Sequence, residues 1–88
     1  MFKKIREHFE KSQRVKGLSK AMSIVDEYMM PGLTPEALDR NYGQAYADIR
    51  MVYINGDITE NEMWAAITTL DNQYDKLRPR AVDAQLFA

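Results

Sequence analysis

A chain of 88 residues with a formal net charge of -1 is at most one small domain, and a lone core of that size is marginal. The absence of cysteine excludes disulfides, cysteine nucleophiles and thiolate metal sites. The near-neutral total conceals a segregation: residues 1–20 carry seven Lys or Arg against two Glu, whereas residues 21–77 carry ten acidic against three basic side chains.

The N-terminal segment opens Phe2-Lys3-Lys4-Ile5-Arg6 and turns polar. No apolar run follows that would serve as a signal core or a membrane span, so the cytoplasm is the expected compartment. Residues 2–16 are good helix formers, and Phe2, Ile5 and Phe9, three and four apart, give one short apolar face able to dock on the rest of the chain. Gly17 is expected to weaken or break this helix, with Ser19 capping a second piece that carries Met22, Val25 and Met29. A single helix bent near Gly17 is the equal alternative. Pro31-Gly32 ends the segment.

Thr34 before Pro35 reads as an N-cap followed by the helical position where a missing N–H costs nothing. Leu38, Tyr42, Ala45, Ile49 and Val52 then recur in a 4-3-4-3 pattern that keeps one helical face dry. Asn55-Gly56 supplies a left-handed helix end. A rival reading takes 49–54 as a strand, because the run is rich in strand formers and Asn-Gly is a strong hairpin signal. Asp57-Ile58-Thr59 is too short to be its partner, and the helical period runs through Val52 unbroken. Thr59 and Glu62 form a capping box for the next helix. Its stripe is Met63, Ile67, Leu70, Tyr74 and Leu77, with Trp64 beside it. Pro79 should stop this helix near Leu77, leaving 79–88 as a flexible tail or one or two loose turns. The expected fold is all-α: a small helical bundle on an antiparallel hairpin, 35–54 and 60–77, with one or two N-terminal helices. Residues 1–88 form a single domain, basic over 1–20.

The chain offers little for catalysis. His8 is the lone histidine, without a carboxylate on its face, and reads as a solvated helix residue. Zinc clusters, HExxH and Gly-rich phosphate loops are missing. Asp57, Glu60 and Glu62 crowd one turn, but their spacing does not match a calcium loop and capping accounts for them. No enzyme activity, metal or cofactor is expected.

Recognition is the better reading. Tyr42, Tyr46 and Tyr53 fall four and seven apart, placing their rings beside the core with hydroxyls in water. Tyr46, Met51, Tyr53 and Trp64 are the expected apolar anchors of a protein interface, with Asp71 and Asp75 giving polar selectivity at its rim. The chain is thus expected to be a non-catalytic adaptor or inhibitor of a cytoplasmic protein, with apolar area to spare for a two-fold homodimer. The alternative is nucleic-acid binding through Lys3, Lys4, Arg6, Lys11 and Arg14. A lesser one is an acidic mimic of nucleic acid. Gly43, inside the first hairpin helix, costs about 1 kcal/mol relative to alanine, which a close helix crossing would justify.

Overall fold

A computed structural model of the chain describes residues 16–87. The docking segment, His8 and the five cations of the nucleic-acid reading lie outside the described residues. Within them the protein is an all-α bundle of three helices: α1 over 16–28, α2 over Pro35–Ile54 and α3 over Glu60–Leu86. Residues 49–54 are helical, and no strand occurs among the described residues.

Local chemistry sets the helix ends. Thr34 is extended and its hydroxyl accepts from the Ala37 amide at 3.2 Å, with Pro35 opening α2. At the other end Gly56 takes φ +83°. Its amide donates to the Tyr53 carbonyl while the Asp57 amide reaches back to Val52, the paired bonds of a Schellman turn. Two residues later the capping box is complete: Thr59 Oγ1 accepts from the Glu62 amide, and Glu62 accepts from the Thr59 amide at 2.9 Å. One helix therefore ends and the next begins within a few residues, which forces an antiparallel pair.

Leu38, Ala45, Ile49 and Val52 of α2 close on Met63, Ala66, Ile67 and Leu70 of α3, joined by Ile58 from the turn. Helix α1 adds Ala21 and Val25, and Met29 just past its end continues the same four-residue spacing. The described core is apolar throughout, with no buried polar or charged side chain.

Gly17 is helical and buried in the first described turn of α1, and a Cβ there would collide with the Asp57 carbonyl oxygen and sit 3.0 Å from Ile58. The residue read as a helix breaker is thus the point where α1 seats on the α2–α3 turn, and Ser19 is an interior residue rather than a cap. Gly43 is the reverse case: a Cβ there would meet nothing within 4 Å, so no helix among the described residues crosses it.

Nor does Pro79 stop the hairpin at Leu77, since α3 continues to Leu86. The missing N–H leaves the Asp75 carbonyl without its helical donor, but Asp75 and Pro79 are both exposed, where water can serve. On the opposite side, half-buried Leu77 and Ala81 face Leu33, Leu38 and the Pro31-Gly32 turn across an apolar cleft of about 110 Å³. Partial burial of Ala81 and Val82, both beyond the proline, rewards a helix carried past it. Beyond it Val82 is half-buried, and Leu86 and Phe87 are exposed.

Candidate functional site

The hairpin has two long sides, and α1 fills one of them. The Tyr28 hydroxyl donates to Asp48 Oδ2 at 3.0 Å, and Asn41 Nδ2 donates to the Tyr28 carbonyl at 3.1 Å. Gln44 Nε2 holds the other oxygen of Asp48 at 2.8 Å. With Gly17 against Asp57 and Tyr28 against Asn41, α1 runs back along α2 from the turn.

The opposite side carries no helix among the described residues. Helical geometry places Tyr42, Tyr46 and Tyr53 together on one side of α2, and Trp64, Asp71 and Asp75 together on one side of α3. The Tyr42 hydroxyl donates to Asp71 Oδ1 at 2.5 Å, joining the two sides into one face. The Tyr42 ring lies 6.4 Å from Tyr46 and 4.8 Å from Tyr74.

At its far end from the turn the face is clasped by a second such bond. Tyr74 donates to Asp39 Oδ1 at 2.6 Å, and Arg78 reaches both Asp39 oxygens at 3.1 and 3.4 Å. The two bonds are reciprocal. Asp39-Arg40-Asn41-Tyr42 on α2 and Asp71-Asn72-Gln73-Tyr74 on α3 are each Asp-x-x-Tyr, and in the antiparallel pair each Asp accepts from the other helix's Tyr.

Electrostatics follows from these contacts. The Asp71 carboxylate beside its hydroxyl, aided by partial burial, pushes Tyr42 from its ordinary value near 10 up to about 12. Tyr74 and Tyr28 are raised in the same way by Asp39 and Asp48. Asp39 is held below the usual carboxylate range, first by the Arg78 guanidinium and then by Tyr74.

Tyr46, Tyr53, Trp64, Asp71 and Asp75 therefore share a face, with Trp64 48% and Tyr53 36% exposed. Trp64 Nε1 approaches Glu60 Oε1 only at 3.5 Å, which leaves the indole edge nearly free for another acceptor. Three expectations need correction. Met51 is exposed but two residues from Tyr53, and so on nearly the opposite side of α2, where it neighbours Ile54. Asp71 is half-buried and engaged by Tyr42, making it a structural clasp more than a free rim charge. Of the three tyrosines expected to hold their hydroxyls in water, Tyr42 instead donates to a carboxylate, as Tyr28 and Tyr74 also do. The Asp-x-x-Tyr duplication was the missed signal: an antiparallel hairpin pairs its two copies head to tail.

Chemically the face offers aromatic surface edged with carboxylates, suited to apolar and cationic side chains. Among the described residues no group of three His, Cys, Asp or Glu side chains is placed to hold a metal ion, and no helix is long and apolar enough to cross a membrane. No protein-family model matches the chain, and no curated protein or solved structure matches it either.

Proposed function

We propose that the protein is a non-catalytic interaction module, an adaptor or inhibitor that binds a cytoplasmic protein through the face of Tyr46, Tyr53 and Trp64, with Asp75 at its rim. The observation that carries this reading is the exposure of the chain's one tryptophan beside two tyrosines, on the hairpin side that α1 leaves uncovered. Burying such rings against a partner is the strongest apolar contribution a surface this small can make. The Asp39–Tyr74 and Tyr42–Asp71 bonds fix the two helices in register, so the rings are presented on a rigid support. Self-association through this face is the two-fold form of the same reading.

Affinity capture of the full chain from its host, with and without nuclease, is the test. A defined protein recovered in both samples is expected, with Trp64→Ala or Tyr53→Ala weakening the complex at least tenfold. Exposed side chains contribute little to folding, so thermal stability should move by no more than about 0.5 kcal/mol. Capture that vanishes with nuclease would favour the nucleic-acid alternative instead. Sedimentation of Trp64→Ala beside the parent reports whether a homodimer uses the face.

A further inference from the structure

Past the start of α2 the last part of α3 continues without it. Tyr74 meets Asp39 across the hairpin, so Pro35, four residues before Asp39, stands level with about Arg78. Residues 79–86 of α3 therefore reach roughly 12 Å further, at about 1.5 Å per residue. We infer that this extension docks a second copy of the chain: two α3 helices pack antiparallel about a two-fold axis beside Ala84, and Phe87 of each copy enters the apolar cleft of the other.

Three observations support it. The first is an unfilled cleft close to an unburied ring. The cleft of about 110 Å³ is lined by Met30, Leu33, Leu77, Ala81 and Ala84, with exposed Arg80 beside them. Its scale suits one aromatic ring, since an apolar cavity of about 150 Å³ takes up benzene. Phe87, 88% exposed, is the most exposed large apolar residue among those described. It cannot reach the cleft of its own chain, because a continuous helix holds it about 9 Å beyond Ala81.

The second is register. Arg80, Ala84 and Phe87, four and three apart, share one side of α3, and Arg80 and Ala84 line the cleft from that side. In an antiparallel pair with its axis beside Ala84, Phe87 comes level with Arg80 and Ala81 of the other copy. The third is charge. The last turn of α3 carries Asp83 and no basic residue, so no cation of that turn faces the negative end of the helix dipole. The same pairing brings Arg80 of the other copy to that end, within about one turn of Asp83, and the two-fold axis repeats the contact.

An extension of about 12 Å buries less than the roughly 800 Å² per partner of a standard interface, so the dimer is expected to form and dissociate with concentration. Trp64 lies near the other end of α3 and, by helical period, on nearly the opposite side from Ala84. Pairing here is independent of the aromatic face, and on the reading above it presents two such faces in one bivalent unit.

Sedimentation of the full chain over a range of concentrations tests it. The parent should pass from monomer to dimer. Phe87→Ala and Arg80→Asp should each raise the dissociation constant at least about tenfold, and Trp64→Ala should leave it unchanged. Arg80→Asp combined with Asp83→Arg should recover most of the loss, because the charges exchange across the axis. Phe87 and Arg80 are exposed, so far-UV dichroism of both single variants should match the parent. The chain has no cysteine, so Ala84→Cys supplies one thiol beside the axis, and mild oxidation should give a disulfide-linked dimer. Leu86→Cys, exposed but on nearly the opposite side of α3, should not. A chain that stays monomeric, a dimer lost with Trp64→Ala in place of Phe87→Ala, a charge exchange without recovery, or equal linking at the two positions would each overturn the inference. A monomer that still captures a Trp64-dependent partner would remove the dimer alone, and a Phe87-dependent dimer without such a partner would remove only the function proposed above.

Discussion

At the residue scale, the hairpin is registered by two tyrosine–carboxylate pairs rather than by buried charge. Tyr42 on Asp71 and Tyr74 on Asp39 lie beside the core, where a hydrogen bond to a charged acceptor is worth more than one in bulk water. Both halves of each pair were visible in the sequence, but periodicity sorts residues only into apolar and polar faces. It assigned the tyrosines to the core edge and Asp71 to the surface without connecting them, because the connection depends on register across the turn. A pH dependence follows. The pKa of Tyr42 is raised in the folded state, so its contribution is fully present below pH 10 and is lost as pH climbs through about 12. Tyr28 and Tyr74 act in the same direction. Asp39, depressed, works at the other end: its contribution holds above the ordinary carboxylate range and disappears as pH falls through its lowered value. Thermal melts across pH should be level near neutrality and fall on the alkaline side. Tyr42→Phe should cost about 1 kcal/mol at neutral pH and make the alkaline fall shallower. Identical alkaline slopes in parent and variant would contradict the assignment.

At the element scale, capping chemistry was legible because it is local. Thr34-Pro35, Asn55-Gly56 and Thr59 with Glu62 each act within four residues, and each does in the structure what its sequence indicates. Pro79 is where the expectation failed, and Gly17, whose effect on the preceding segment lies outside the described residues, is governed by the same physics. Both residues disfavour a helix intrinsically, by about 1 and about 3 kcal/mol, and tertiary contact outweighs them. Gly17 is needed because the Asp57 carbonyl leaves no room for a Cβ, and Pro79 is tolerated because Leu77 packs on the core before it and Ala81 and Val82 are partly buried after it. Neither contact has a signature along the chain. The two helical glycines supply a paired test by urea unfolding. Gly17→Ala should destabilise by about 1–3 kcal/mol, since helix α1 must back away from the turn. Gly43→Ala, with open space around it, should stabilise by about 1 kcal/mol. A neutral or stabilising Gly17→Ala would mean that α1 does not seat on the turn as described.

At the scale of the whole molecule, the described residues form a two-helix hairpin with one side filled by α1 and one side showing aromatic rings edged with carboxylates. The sequence implied the rings and the acids, and helical period alone sets Met51 apart from Tyr53; which side of the hairpin α1 leaves open depended on tertiary packing. The central claim is that this side, and not the outer face of α2, is where a partner binds. Oxidative side-chain footprinting of the free protein and of its captured complex tests it most directly, since both faces carry readily oxidised groups. The account predicts that Trp64, Tyr53 and Tyr46 become protected in the complex while Met51 reacts as before; protection of Met51 with Trp64 left fully reactive would contradict it.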